Sequence, residues 1–309
     1  MILSCIRKSR LYAQSIKIAR VLLPWQLDKS HRQHLHFRGW FSTSVLGRKI
    51  ELFNFNTELE TTLFWTNSIS EVETSLVCFT ALAENATWII DVGANTGIFV
   101  VAASNINRSA TTFAIEPNYT NFKGLSANVR RNELPVCCLN LAATSENKLV
   151  TLWDFPQEIS YSASLEREFR EGQGTIPVNV FGIKLDEILL YIQPSDLILM
   201  KIDVESHEAE VVRGLSNVLA DEERQIIFLM EVIRDGVGRD LDDLLNSNRF
   251  AYFRINDESR ELLQTVKLKP FDGFNYLIVS RNILTKVVEC LRNVSISARL
   301  LDSGTLELP

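Results

Sequence analysis

The stretch LMKIDVESHEAEVVRG, residues 199–214, sets Asp203, Glu205, Glu208 and Glu210 close together, with His207 among them and Lys201 just before. If the apolar run leading into it is a strand, alternate residues share a face. Lys201, Asp203 and Glu205 then point one way, and Ile202 and Val204 the other. Acids in the first turn of a following helix are favoured by its dipole, by ~0.3–1 kcal/mol each, which accounts for Glu208 and Glu210. It does not account for Lys201 and Asp203 inside an apolar run, where unpaired charge is costly. One reading is a buried Lys201–Asp203 ion pair that only holds the fold. The other is chemistry: a carboxylate that takes the proton from a weakly nucleophilic hydroxyl. Asp203 is the first candidate for that base and His207 the second, since an unperturbed imidazole titrates close to neutral pH. Glu205 completes the strand-end group. A variant places a hard divalent cation on Asp203, Glu205 and Glu231; the preferred expectation has no metal.

A second group precedes it. IIDVGANTGIF, residues 89–99, reads as a buried strand running into Gly93, Gly97 and a helix. Glycines there let the backbone approach a ligand, and the helix start offers unpaired N–H groups. The next strand ends in AIEP, which places Glu116 where an acid grips ribose hydroxyls. The dinucleotide fingerprint GxGxxG is absent, because Asn95 stands at its second glycine. Asp91, at the strand end, would repel a pyrophosphate but suits a cationic ligand such as S-adenosylmethionine (SAM).

Short Val- and Ile-rich runs at 88–92, 113–117, 197–204 and 225–232 lack a polar face, as strands buried on both sides of a parallel sheet do. Helical stretches at 97–106, 118–133, 206–220 and 240–248 alternate with them. This alternation predicts an α/β fold with an open, doubly wound sheet and right-handed crossovers. A strand at 49–55 and a helix at 70–84 come before it. Strands at 250–256 and 274–280 and a helix at 282–293 follow. Residues 145–183 read as extra strands around a mobile loop at 165–174. With 233–273 they are the expected lining of an acceptor pocket.

Together, DVGANTG, AIEPN, MKIDVESHE and a later MEV resemble the FkbM-type SAM-dependent methyltransferases, in the right order from about residue 70 to 280. The resemblance implies the class I methyltransferase (Rossmann-like) sheet of seven strands, the last antiparallel, and methyl transfer to a hydroxyl of a sugar, glycan or natural product. It also implies that Asp91, Gly93, Asn95 and Gly97 lie near the methionine end of SAM, that Glu116 holds the ribose, and that Asn118 belongs to the same cofactor site. The family has glycine where this chain has Ser206. If that glycine serves a turn with φ > 0, Ser206 either distorts it or shows the turn to be unnecessary. Two alternatives stand beside this: a nucleotide-cofactor oxidoreductase, disfavoured by Asn95, and a binding protein that keeps the SAM fold without catalysis.

Composition bounds the rest. A chain of 309 residues with 46% hydrophobic and 23% charged residues can bury a sizeable core. No apolar run reaches the ~20 residues that span a bilayer. The five cysteines form no CxxC pair, which suits reduced thiols in a cytoplasmic protein. The net charge of −6 hides an asymmetry: residues 1–40 carry +7, leaving an acidic body that argues against nucleic acid as a partner. Residues 2–23 read as a basic amphipathic helix closed by Pro24. It suits an anionic membrane surface, docking on the body or a neighbouring subunit, or a mitochondrial targeting segment. His31, His34 and His36 have a spacing that could hold a metal only adventitiously. Trp25, Trp40 and Phe41 look like anchors that favour docking. The expected organisation is an N-terminal extension (1–48), a methyltransferase domain (49–293) and a tail (294–309).

Overall fold

A computed structural model describes residues 10–22, 37–66, 73–155, 164–166, 174–271 and 274–300. The expectations for Cys5, Trp25, the three histidines near residue 34, most of the loop 165–174 and the tail beyond residue 300 lie outside the described residues.

Helix α1 (Arg10–Leu22) precedes an antiparallel hairpin, β1 (Gly39–Val45) and β2 (Arg48–Asn54). Helices α2 (Glu58–Thr66) and α3 (Thr74–Leu82) lead into the main sheet. That sheet contains β3 (Trp88–Val92), β4 (Thr111–Ile115), β5 (Val136–Leu139), β9 (Leu197–Ile202), β10 (Gln225–Glu231), β11 (Phe250–Asn256), β12 (Glu261–Thr265), β13 (Asn275–Ser280) and β14 (Ser297–Arg299). Their order is β14-β12-β11-β13-β10-β9-β3-β4-β5. Seven of them, from β11 to β5, hold the order and the antiparallel final strand β13 of a class I methyltransferase. Short β12 and β14 widen the sheet to nine strands. A separate three-stranded sheet joins β6 (Ala142–Ala143), β7 (Lys148–Asp154) and β8 (Ile176–Ile183), where extra strands were expected.

The strands are apolar throughout because both faces are covered. In β10, Ile227 and Leu229 enter the core on one side, and Ile226, Phe228 and Met230 the core on the other. On the first side lie α3, α4 (Ile98–Ile106), α5 (Tyr119–Arg131) and α9 (Leu284–Arg292). On the second lie α6 (Glu208–Arg213), α7 (Ser216–Ala220) and α8 (Asp235–Leu244). The single helix expected over 206–220 is broken at Gly214, which packs so tightly that a Cβ there would stand 2.3 Å from the Thr144 carbonyl oxygen. The helix expected over 240–248 begins earlier, at Asp235.

The hairpin is fastened to α5 by side chains. Asn132 accepts the Glu51 N–H at 2.8 Å and donates to the Glu51 carbonyl at 2.6 Å, and Asn128, one turn earlier, accepts the Phe53 N–H at 2.8 Å. These amides satisfy a strand edge that would otherwise be open. Helix α1 rests on the same unit. Ile16 is buried, Arg20 donates to the Ser42 carbonyl at 3.0 Å, and its guanidinium lies 4.7 Å from the Phe64 ring centroid. No helix among the described residues is long and apolar enough to cross a membrane.

Candidate active site

Four strand ends meet at one edge of the sheet: β4, β3, β9 and β10. The register pairs Asp91 of β3 with Lys201 of β9, and Lys201 with Leu229 of β10. Open α/β sheets build their sites at such carboxyl ends. A cavity of about 250 Å³ lies there, lined by residues that include Gly93, Asn95, Glu116, Lys201, Asp203, Glu205 and Glu231.

The glycine turn has the geometry its sequence suggests. Gly93 and Gly97 have φ of +74° and +86°, and Asn95 has φ of 50°. A Cβ on Gly93 would stand 1.8 Å from the Asp203 carbonyl oxygen, so this position needs glycine for its conformation and for the space. Glu116 then clasps the turn: one oxygen accepts the Asn95 N–H at 2.8 Å and the other the Asn118 N–H at 2.8 Å. Burial pushes its carboxyl up to about 7, against those two N–H donors. Each oxygen keeps a lone pair for a further donor, as a ribose hydroxyl would be.

Asp91 and Asn118 take supporting places. Asp91 is fully buried beneath the turn, where one oxygen accepts the Val100 N–H at 3.2 Å at the start of α4. Its other oxygen has no hydrogen-bond partner and sits 3.9 Å from the Lys201 ammonium, and burial pushes the carboxyl up to about 6. The Asn118 side chain caps α5 by accepting from the N–H groups of Thr120 and Asn121, and donates to Asp154 at 2.6 Å. Neither residue lines the cavity, nor does Gly97, whose absent side chain makes room for Leu125.

At the neighbouring strand ends, Lys201 lies 2.9 Å from Asp203 and 4.8 Å from the centroid of the Phe99 ring. Burial opposes its charge, but Asp203 and Asp91 outweigh that and hold it as an ammonium. The chain then turns through two consecutive left-handed residues, Glu205 (φ 54°) and Ser206 (φ 78°). The φ > 0 turn is therefore kept with serine in place of glycine. Glu208 braces it: one buried oxygen accepts both the Val204 and Ser206 N–H groups at 3.2 Å. Its carboxyl is pushed up to about 8 by burial, and its second oxygen has no partner. A dipole preference alone does not describe a residue so placed.

The double turn also swings His207 out of line with the strand. Its Nδ1 meets Glu166 at 2.7 Å, and its side chain lines a different cavity, with Ser145, Trp153 and Glu210. Leu165 lines both cavities, and Ser164 donates to the Glu205 carbonyl at 2.7 Å. Glu231, considered only as a metal ligand from the sequence, reaches the main cavity from β10. Burial and then Asp203, Glu205 and Glu208 push its carboxyl up to about 8. Among the described residues, no three side chains from His, Cys, Asp and Glu converge as a metal-ligand group.

Sequence reasoning missed the contribution of the N-terminal segment. Thr57 and Leu59 line the cavity. Glu60, fully buried, accepts the Thr96 hydroxyl at 2.7 Å and the Phe55 N–H at 2.6 Å, and burial pushes its carboxyl up to about 7. Asn128 donates to the Thr96 carbonyl at 2.8 Å. The glycine turn is thus held from the hairpin side by two routes, across sequence separations that local patterns do not report.

The Methyltransferase FkbM domain matches residues 91–252, more than half of the chain. The hexuronic acid methyltransferase AglP of Haloferax volcanii is 29% identical over 170 residues, which cover 55% of this chain and 65% of that protein. The chain thus spans about two thirds of the length of that curated relative. Among solved structures, a SAM-dependent methyltransferase from Agrobacterium tumefaciens has a TM-score of 0.42 at 7% identity, covering 79% of this chain and 71% of its own. The O-methyltransferase from Bacillus cereus in complex with SAH has a TM-score of 0.39 at 9% identity, covering 67% and 80% respectively.

Proposed function

The chain belongs to the FkbM methyltransferase family, and from that premise we propose that it transfers a methyl group from SAM to a hydroxyl of a sugar, glycan or related natural product. The observation that carries the reading is the continuity of the cavity across four strand ends, from Glu116 just after β4 to Glu231 at the end of β10. A nucleoside fits the Glu116 end. The reacting hydroxyl fits the end at β9 and β10.

The residues suit the cofactor. Gly93 leaves a cradle that a Cβ would fill, Glu116 offers lone pairs beside the turn, and the Asp91 carboxylate, 3.9 Å from the Lys201 ammonium, lies beneath it. When bound, SAM supplies an electrophilic methyl group. The chain must orient the acceptor oxygen toward it and remove its proton. Asp203, the first candidate from sequence, has one carboxylate oxygen held by the Lys201 ammonium at 2.9 Å. Glu231 faces the same space with a raised affinity for protons, near the value at which a base works best around neutral pH. We therefore assign the proton to Glu231 and give the Lys201–Asp203 pair the task of orienting the acceptor. His207, on the far side of Leu165, is paired with Glu166 instead.

Paired variants test this. Glu231→Gln is expected to lower turnover by about 10²–10⁴-fold while SAM affinity stays within a few-fold. If Asp203→Asn loses turnover on that scale and Glu231→Gln does not, the base is Asp203.

A further inference from the structure

The geometry assigns a further positioning residue to the cofactor site: Glu60 of α2, which acts on SAM binding by holding Thr96 in the glycine turn. The assignment rests on reading the cavity as the SAM site. Glu60 does not itself line that cavity. It also precedes residues 91–252, so it belongs to a part of the chain that the family domain does not include.

Helix capping explains only half of the contacts of this carboxylate. Residues 57–60, TELE, have the capping-box pattern, in which a threonine hydroxyl accepts an N–H of the first turn and the glutamate reaches back over the helix start. The Thr57 hydroxyl does accept the Glu60 N–H, at 3.0 Å. One Glu60 oxygen reaches back, to the Phe55 N–H at 2.6 Å. The other leaves the helix and accepts the Thr96 hydroxyl at 2.7 Å. Both residues are buried, where a carboxylate is costly unless its oxygens are hydrogen-bonded.

Thr96 links α2 to the ligand. It lines the cavity, as do Thr57 and Leu59 at the start of α2. It follows Asn95, whose N–H is held by Glu116, so two carboxylates grip consecutive residues of the turn. Asn95 and Gly97, on either side of Thr96, are both left-handed, at φ 50° and +86°. A non-glycine residue keeps such a backbone only where its surroundings fix it. Phe55 completes the group. A Cβ on Gly124 of α5 would stand 3.0 Å from its ring and 3.4 Å from the Thr96 methyl carbon, so ring and turn share the hollow that this glycine leaves. Without Glu60 the Thr96 hydroxyl loses its acceptor. The Asn95 N–H beside it then loses the alignment that lets Glu116 serve turn and ribose together.

The test is calorimetry of SAM binding to variants of the full chain, at a temperature where each is folded by circular dichroism. Glu60→Ala is expected to bind about ten-fold or more weakly than the parent. Thr96→Val removes the same link and leaves the helix cap intact. It is expected to lose a similar factor, and the double variant to lose no more than either single one. Leu291→Ala, a core truncation in α9 away from the cavity, destabilises the fold and is expected to leave affinity unchanged. Parent-like affinity in Glu60→Ala or Thr96→Val overturns the assignment, as does an equal loss in Leu291→Ala. If Glu60→Ala does not fold, Thr96→Val decides by the same criterion. A parent chain that binds no SAM contradicts the cofactor reading instead. Hydrogen exchange over residues 93–97 then decides whether Glu60 holds the turn, and is expected to be faster in Glu60→Ala than in Leu291→Ala. Equal exchange in the two overturns the assignment there.

Discussion

Gly93 and the carbonyl oxygen of Asp203 are so close that a β-carbon on the glycine would lie 1.8 Å from that oxygen. The contact joins the glycine turn to the acidic strand end, two motifs that stand more than a hundred residues apart in sequence. It makes them one site. Gly93→Ala must shift one of the two loops and also carry a side chain at φ +74°. The expected result is at least a ten-fold loss of SAM affinity, on the order of 1.4 kcal/mol, measured by calorimetry. Unchanged affinity would show that the two loops move independently.

Ser206 makes a prediction of the opposite sign. It holds φ of 78° with a buried hydroxyl that lacks a hydrogen-bond partner. Ser206→Gly removes the left-handed penalty and the orphaned group, so it is expected to stabilise the protein by about 1 kcal/mol. A denaturant midpoint below that of the parent contradicts this.

Stability should fall as pH rises. Burial holds Glu60 and Glu116 at about 7 and Glu208 at about 8, each above its ordinary value of 4.5. The folded chain therefore keeps protons that the unfolded chain has released, and the stability present below about 4.5 is lost progressively up to about 8. Glu208→Gln keeps an acceptor for the Val204 and Ser206 N–H groups without a titrating proton. Its melting temperature is expected to depend less steeply on pH than that of the parent. An identical slope assigns the dependence to other groups.

For the basic arm, the contacts of α1 favour docking on the body over a membrane role. Arg20 spans the Ser42 carbonyl and the Phe64 ring, and Ile16 is buried. Removing residues 1–22 is expected to lower the melting temperature by several degrees, roughly the effect of 1–2 kcal/mol. An unchanged melting temperature, together with loss of sedimentation on anionic liposomes, would favour the membrane role.

Much of this was legible from local pattern. The Val- and Ile-rich runs gave the central strands, and the glycines and Glu116 marked the turn because both answer to backbone geometry within one strand–helix unit. What escaped was set by distance or by backbone conformation. Glu60 reaches Thr96 over 36 residues, and no periodicity reports that contact. The polar residues of GWFSTSV concealed β1, whose alternate positions are buried against α1 and α2. Strand alternation grouped Asp203 and Glu205, and both line the main cavity, but two left-handed residues after Val204 turned His207 elsewhere. Glu208 read as an acid favoured by a helix dipole and is instead the brace of that turn.

Transfer of a methyl group from SAM to a hydroxyl oxygen leaves a product that can be identified directly. The protein is incubated with SAM carrying a CD₃ group and a neutral hexose glycoside, and the products are followed by mass spectrometry and NMR. The expected product is a CD₃ ether on a sugar oxygen, with S-adenosylhomocysteine formed in equal amount and both lost in Glu231→Gln. Tight SAM binding with no turnover on any hydroxylated acceptor, or label delivered to nitrogen in place of oxygen, would contradict it.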